Sequence, residues 1–499
     1  MNWEVFVLIL YFVAMLSIGV FFFFRGKSKN DKDYFLGGKT MGPWVTAMSA
    51  QASDMSAWLL MGLPGSILAF GLGQAWIGIG LALGTALNWI FMARRLRRFS
   101  EAAGDSITLP QYLSNRFATK NKALQITCAI VFLVCFTLYV ASAFVAGTNV
   151  FMSLFDINKT AAMIIFAAIL IVYTFLGGFK AVCWTDFFQG ILMLVAVMAI
   201  PIIISITKDL DWSLLENAVI SADGATKYEF TKNLFGAPIS EIVSGLAWGL
   251  GYFGMPHILV RFMAIEKSSM AKKSAVVAIV WVVLALLSVI FIAIFGKILI
   301  GDKLLVDGKQ SMVFVDLSRL LFPAAISGVL LSAIIAASMS TADSQLLVAS
   351  SSFTSDIYKP LIRKNASDKE VMWVGRGIVV IVAIIAFFIA SSKSEGAQAI
   401  MNLVENAWAG FGSAFGAVMI LSVFWRRFTY KGALVGVIAG ALTDVIWLIF
   451  LSASTGIYEI IPGFAVSMIA AVTATLLDKK PSAEITDIFD AATAPDVDG

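Results

Sequence analysis

The chain has 499 residues, of which 59% are hydrophobic and only 14% are charged, with a formal net charge of +4. Soluble globular domains carry about 25% charged residues, so the composition excludes an ordinary soluble protein. No run of basic residues alternates with aromatic residues, so the positive charge does not predict a nucleic-acid partner. We expect an all-α polytopic membrane protein, surrounded by a lipid bilayer.

Apolar segments of about 20 residues recur along the chain, and each can cross a bilayer core of ~30 Å as a helix. The first, 3–24, lacks a basic start and a small-residue cleavage site, so we expect an uncleaved helix rather than a signal peptide. The pattern predicts about 13 transmembrane helices in all. The other spans lie at 40–70, 74–93, 123–153, 160–177, 184–207, 238–262, 274–298, 312–353, 371–391, 399–425, 431–452 and 458–477.

Thirteen spans place the two termini on opposite sides of the membrane. With the N-terminus outside, the inner loops, the tail and adjoining positions hold 27 of the 36 Lys and Arg residues, and the outer side holds 9. Such an excess is typical of the cytoplasmic side. The distribution therefore predicts an outside N-terminus and a cytoplasmic C-terminus.

Two of the spans are interrupted. The span 40–70 contains Asp54, and a charged side chain at membrane depth costs about 2.5–3.5 kcal/mol on insertion scales. The span 238–262 contains the run GLAWGLGYFGMPH, whose glycines and proline favour local unwinding. Paired interruptions in the two halves of a chain indicate a transporter that binds its substrate at the breaks.

Each interrupted span begins the same order of spans: interrupted, ordinary, long, ordinary, ordinary. This order predicts two inverted five-helix repeats, because a repeat with an odd number of spans ends on the opposite side. The predicted parts are a peripheral helix and inner loop at 1–36, the first repeat at 37–207, an outer loop at 208–237, the second repeat at 238–428, two peripheral helices at 429–478 and a disordered cytoplasmic tail at 479–499.

Polar residues in two spans have two interpretations each. Asp54 is either an N-cap of the half-helix that follows it or a carboxylate that attracts a cation, and these roles are compatible. Ser340, Thr341 and Ser344 share one face of the long span 312–353. Their hydroxyls either bond within the helix and join helices together or provide oxygen ligands for a monovalent cation.

Three residues of the second interrupted span, Trp248, Tyr252 and Pro256, are spaced at i, i+4 and i+8. Such a stripe is typical of helix packing, but its position at a break favours the wall of a ligand site. Asp186 either pairs with Lys180 at the inner surface or has a role of its own.

Three stretches carry a resemblance to a known family: SDMSAWLLMGLPG at 53–65, WGLGYFGMPHILVRFMA at 248–264, and the pair Ser340–Thr341 with SQLLVASS after it. From about residue 30 to 478 the chain resembles the sodium:solute symporter family, and the first two stretches resemble its proline branch. The resemblance implies a LeuT-type fold in a bacterial cytoplasmic (inner) membrane. It also implies sodium-coupled uptake of L-proline by alternating access, with the sodium ion as coupling ion and no cofactor.

The family's site residues carry over onto matching positions of this chain. Asp54 is implied in sodium and substrate binding. Ala57 departs from the glycine expected there, and Ala337 lacks the hydroxyl of relatives with a second sodium, which implies one sodium per solute. The implied sodium ligands are the main-chain oxygens of Ala52, Met55 and Ala337 and the hydroxyls of Ser340 and Thr341. The implied proline wall is Tyr139, Trp248, Tyr252 and Pro256.

Other functions stay open at this point. The alternative is a sodium-coupled symporter of another small organic solute (another amino acid, a betaine or a carboxylate), and a cation channel, which would share the polar helices, is less expected. An intramembrane protease or other enzyme is not expected, because His257 is the only histidine and no catalytic pair is present. Proline suits the residues because helix N-termini can hold its carboxylate and aromatic faces can cover its ring and ammonium group. The sequence does not indicate an oligomeric state.

Overall fold

The computed structural model describes residues 3–25, 31–176, 178–222, 224, 226–392 and 397–495. These residues are mostly helical, with one antiparallel hairpin of β1 (Val219–Ile220) and β2 (Lys227–Tyr228). The first half forms α1 (Trp3–Arg25), α2 (Asp31–Leu36), α3 (Pro43–Asp54), α4 (Leu63–Phe70), α5 (Ala75–Leu87), α6 (Arg94–Ala102), α7 (Leu109–Arg116), α8 (Ala123–Phe155), α9 (Lys159–Leu176) and α10 (Phe179–Thr207). The second half forms α11 (Ile239–Ala247), α12 (Pro256–Ala264), α13 (Ala271–Val306), α14 (Val313–Leu321), α15 (Ala324–Ser352), α16 (Asp368–Ser391), α17 (Ala397–Phe411), α18 (Ala417–Phe424), α19 (Tyr430–Phe450), α20 (Ser452–Thr455), α21 (Ile460–Leu477) and α22 (Ala483–Thr493).

The helices confirm a polytopic membrane protein. Within the described ranges, ten helices are long and apolar enough to cross a membrane, or eleven if one bent pair is counted as a single span. Two shorter apolar helices, Trp58–Phe70 and Lys159–Phe175, lie at further predicted spans. The number thirteen and the inverted repeats stay predictions.

The first predicted interruption is present. α3 ends at Asp54, and the chain leaves the helix at Met55, where φ is −84° and ψ is 73°. The Ser56 N–H donates to the Asp54 carbonyl at 3.0 Å, and not to the Ala52 carbonyl four residues back. Helix resumes through a π-helical turn at Trp58–Gly62 that leads into α4. The break therefore releases main-chain oxygens for other partners.

The second interrupted span also breaks. α11 passes into a 3-10 turn at Trp248–Phe253, and α12 begins at Pro256 after a bend of 42°. α5 packs against this turn, and a Cβ atom on Gly84 would lie 2.4 Å from the main chain of Gly249. Only glycine permits so close an approach, so α5 supports the unwound segment directly.

The predicted long span 312–353 is divided in the structure. Phe322 is extended, with φ −124° and ψ 149°, as residues before a proline usually are. α15 begins after Pro323 and continues through a π-helical stretch to Ile362. The hydroxyl face predicted on this span lies wholly on α15.

The prediction of a disordered tail is wrong for most of that segment, because α22 forms and packs against α6. The rings of Phe489 and Phe99 lie 5.2 Å apart between centroids. Arg426 donates to both carboxylate oxygens of Asp490, at 2.8 and 2.7 Å. Residues 496–499 lie outside the described part. The apolar face that docks the helix has a spacing of i, i+3, i+4 and i+7: Ile485, Ile488, Phe489 and Ala492.

Candidate functional site

Asp54 lies where the two broken spans meet. Its Oδ2 accepts a hydrogen bond from the Tyr252 hydroxyl at 2.5 Å. Its main-chain carbonyl accepts from the Tyr139 hydroxyl and from Trp58 Nε1, each at 3.4 Å. Oδ1 is buried and has no hydrogen-bond partner among the residues that the structure describes. The N-cap interpretation is wrong, because Oδ2 accepts from Tyr252 across the break, and the side chain that accepts from the Trp58 N–H, at 3.4 Å, is that of Ser56.

The hydroxyl face of α15 contacts the first break. Ser340 Oγ donates to the Ala52 carbonyl at 2.7 Å and lies 3.3 Å from the Ala337 carbonyl oxygen. Thr341 Oγ1 is fully buried and lacks a partner within the described ranges. Three of the predicted sodium ligands therefore lie together: the Ser340 hydroxyl and the main-chain oxygens of Ala52 and Ala337. Buried polar atoms without a hydrogen-bond partner are exceptions in folded proteins, so Thr341 Oγ1 and Asp54 Oδ1 are candidates for ligand contacts.

Aromatic rings surround the second break. Trp248 and Tyr252 are buried, at 2% and 1% exposure. The Trp248 ring lies 6.5 Å from that of Trp58 and 5.3 Å from that of Tyr458. Trp408 stacks on Trp248 at 6.3 Å and meets Tyr252 edge-on at 5.0 Å. The predicted wall is therefore part of a larger aromatic cluster.

Trp58, Trp408 and Tyr458 were not among the predicted site residues. A usable signal was present for two of them. Trp58 follows the first interruption directly, and Trp408 lies in the glycine-containing run NAWAGFG of a predicted span. Pro256 and Tyr139, which the family resemblance implies for the proline wall, are both buried. Pro256 is the first residue of α12, where a proline has no N–H to lose.

Asp186 does not pair with Lys180. Its Oδ2 accepts from Arg261 Nη2 at 2.8 Å and from Ser49 Oγ at 2.8 Å, with both charged side chains almost fully buried. Arg261 also donates to Ser344 Oγ at 2.6 Å. Ser344 therefore joins this ion pair and not the group around Asp54. Arg261 lies near the end of a predicted span. A charged side chain at membrane depth is costly unless it pairs with an opposite charge, and this holds for Arg261 and Asp186 alike.

Each broken span has one end that is predicted to face the cytoplasm. Main-chain hydrogen bonds connect these two ends. The Met41 N–H donates to the Ala264 carbonyl at 3.3 Å, and the Glu266 N–H donates to the Met41 carbonyl at 3.1 Å. Arg97 Nε adds a hydrogen bond to the Ile265 carbonyl at 2.6 Å. These contacts link the two broken spans at that end.

A charged cluster lies in the segments that adjoin these contacts. Lys32 and Lys39 both form ion pairs with Asp105. Burial acts to raise the pKa of Asp105, but the hydrogen bonds and charges of the two lysines outweigh it and hold that pKa below its usual value. The pairing therefore contributes stability at neutral pH and loses it as the pH falls through the lowered pKa.

Two apolar helices broken within their length, with a buried carboxylate at one break and an aromatic cluster at the other, define the class of secondary transporters with discontinuous helices. The profile of the sodium:solute symporter family matches residues 34–440. The chain belongs to this family, whose members are transporters and not enzymes.

Individual relatives match over nearly the whole chain. A sodium/proline symporter of Haemophilus influenzae is 42% identical over 490 residues, covering 97% of this chain and 96% of that protein. A high-affinity proline transporter of Bacillus subtilis is 43% identical over 477 residues, covering 95% and 98%.

Solved structures confirm the predicted LeuT-type fold. A substrate-bound, outward-open Na⁺-coupled sialic acid symporter superposes with a TM-score of 0.74 at 20% identity, covering 96% of this chain and 98% of that one. A nucleobase-cation-symport-1 family transporter, in a closed conformation, superposes with a TM-score of 0.55 at 13% identity, covering 91% and 97%.

Proposed function

We propose that the chain takes up L-proline together with sodium, one ion per proline, by alternating access in a bacterial cytoplasmic membrane. In this proposal the N-terminus is outside, the C-terminus is cytoplasmic, and two inverted repeats form the transport core. Relatives named as proline transporters support the substrate. The single observation that carries the proposal is the Tyr252–Asp54 hydrogen bond, because it connects the aromatic wall directly to the carboxylate beside the cation ligands.

The sodium part of the proposal rests on oxygen atoms at the first break and on α15. Sodium would be held by the main-chain oxygens of Ala52, Met55 and Ala337 and by the hydroxyls of Ser340 and Thr341, with Asp54 as the nearby negative charge. Neutral oxygens with one carboxylate suit a monovalent cation. Ser340 now donates its proton to the Ala52 carbonyl, so its hydroxyl would have to turn before both oxygens could face an ion.

The proline part rests on the second break. Trp248, Tyr252, Pro256 and Tyr139 would line a pocket for the apolar ring. The faces of the aromatic rings would attract the secondary ammonium group, and the main-chain N–H groups that open α12 would suit the carboxylate. Tyr252 belongs to the wall and also donates to Asp54. Binding at one site would therefore change the affinity of the other site for its ligand.

The energy available is sufficient for concentrative uptake. Moving one sodium ion inward across 100 mV supplies about 2.3 kcal/mol, and a tenfold sodium gradient supplies about 1.4 kcal/mol more. Together these support a proline accumulation of roughly several hundred-fold when one sodium accompanies each proline.

The test is uptake of labelled proline into sealed proteoliposomes that contain the purified chain. We expect sodium-dependent, electrogenic accumulation, abolished when the sodium gradient and the membrane potential are both collapsed. Equal accumulation with a proton gradient in sodium-free buffer would contradict sodium coupling. Sodium flux without solute accumulation would indicate a channel, and accumulation of a betaine or another amino acid in place of proline would move the substrate assignment.

A further inference from the structure

Trp408 on α17 contacts both aromatic residues of the second break. It is 1% exposed. Its ring stacks on that of Trp248 with an interplanar angle of 28° and meets Tyr252 at 84°. Its Nε1–H donates to the Trp248 main-chain carbonyl at 2.7 Å. One side chain therefore orients the wall in two ways, through its ring and through a main-chain hydrogen bond.

The 3-10 turn is fitted to this indole. A Cβ atom on Gly251 would lie 2.0 Å from Trp408 Nε1, a separation that forces either the turn or the indole to move. Glycine at this position is thus what allows the N–H to reach the Trp248 carbonyl. The close approach places the indole against the main chain of the break as well as against its side chains.

Tyr252 is held from two directions. Its hydroxyl is bound by Asp54 on α3, and its ring is packed by Trp408 on α17. α17 also contacts α8, which carries Tyr139, and the π-helical turn that follows the first break. A change in the packing of Trp408 would therefore reorient the ring whose hydroxyl reaches the carboxylate.

We propose that Trp408 is a positioning residue that sets which solutes the site accepts, acting through Trp248 and Tyr252. The indole fixes the spacing of the wall, so it determines the size of ring that fits against it. It also keeps the Tyr252 hydroxyl at Asp54, so it transmits sodium occupancy to the solute. This inference rests on the proposed sodium-coupled uptake of proline.

The experiment compares wild type with Trp408→Phe, which keeps a ring and removes the N–H. Equilibrium binding to the purified full chain is measured over a sodium series for proline and for analogues with a four-membered ring (azetidine-2-carboxylate) and a six-membered ring (pipecolate). A lost hydrogen bond of ordinary strength corresponds to roughly 3- to 10-fold weaker proline binding. We also expect a smaller preference for proline over the two analogues and a weaker effect of sodium on proline affinity.

The matched control is Trp76→Phe. Trp76 also donates its indole N–H to a main-chain carbonyl, that of Leu234 at 2.8 Å, but it does not contact the wall. The Trp76→Phe variant should change neither the ring-size preference nor the sodium dependence of proline binding. Gly251→Ala, which pushes on the same indole from the other side, should change both in the same direction as Trp408→Phe.

The outcomes separate this inference from the proposed function. If wild type does not bind proline with sodium present, the proposed function fails. If wild type binds but Trp408→Phe and Gly251→Ala keep its ring-size preference and sodium dependence, Trp408 is only a packing residue and the inference is overturned. An equal loss of affinity for all three ring sizes, with unchanged sodium dependence, also overturns it.

Discussion

The hydrogen bond from Tyr252 to Asp54 gives the sharpest prediction, because one atom can be removed without removing the ring. Tyr252→Phe keeps the edge-on contact with Trp408 and deletes the donor at 2.5 Å. No other hydrogen bond to the Asp54 carboxylate is seen in the described residues. Tyr139 and Trp58 reach only its main-chain carbonyl. The variant therefore isolates the link between wall and carboxylate.

The size of the effect follows from the chemistry of that bond. A hydrogen bond to a charged group contributes about 1.5–3 kcal/mol, which corresponds to roughly 10- to 150-fold in an equilibrium constant. Coupling between two ligands of one protein is typically about 5- to 150-fold and must be reciprocal. The bond is thus large enough to account for most of the coupling. We expect Tyr252→Phe to lose most of the sodium dependence, so that its proline affinity at saturating sodium falls toward the sodium-free value, by roughly 10- to 150-fold at most.

The assay is binding of labelled proline to purified protein over a sodium series, with sodium binding followed separately by tryptophan fluorescence. The matched control is Tyr458→Phe. Tyr458 packs on Trp248 at 5.3 Å, but its hydroxyl donates to the Glu405 carbonyl at 2.9 Å and does not reach Asp54. If Tyr252→Phe retains the wild-type shift of proline affinity with sodium, the two sites are not linked through this bond. A loss in both variants would point to general loosening of the aromatic cluster.

Three further predictions concern other parts of the chain. Thr341→Ala removes one neutral oxygen, so it should weaken sodium binding and weaken proline binding mainly at low sodium; no recovery of proline affinity at high sodium would refute the ligand assignment. Gly84→Ala places a Cβ 2.4 Å from the second break and should lower the melting temperature and transport, whereas Gly19→Ala, with nothing within 4 Å, should change neither. Phe489→Ala should expose α22 to limited proteolysis, whereas Arg426→Ala, which breaks a half-exposed ion pair worth about 0–1 kcal/mol, should have little effect; the reverse order would show that charge and not packing holds the helix.

The sequence predicted where the two spans break, because glycine, proline and a lone carboxylate are local signals. It also predicted the hydroxyl face that carries Ser340 and Thr341, since helical periodicity places residues on a face without knowledge of the partner. The partner of Asp54 is a different problem. Tyr252 is 198 positions away along the chain, and both interpretations of the Tyr252 stripe, packing and ligand wall, were consistent with its spacing.

The choice of ion pair shows the same limit. Lys180 is six positions from Asp186 in the sequence, whereas Arg261 is 75 positions away and becomes a neighbour of Asp186 only in the folded chain. The helix in the C-terminal tail is a different case, because the sequence itself contains the pattern that predicts it. The spacing of Ile485, Ile488, Phe489 and Ala492 indicates an amphipathic helix, and the acidic composition of the segment obscured it.

The joint between Met41 and the chain after α12 has a consequence for mutational studies. Both hydrogen bonds run between main-chain atoms, so alanine scanning leaves their donors and acceptors intact and removes only the added contact of Arg97. Proline is the informative substitution. Ile265 has φ −58° and ψ 134°, a conformation that tolerates a following proline, so Glu266→Pro deletes the N–H that reaches Met41 without straining the residue before it. A library limited to side-chain truncation would therefore rank Glu266 as inert, although its backbone amide links the two broken spans.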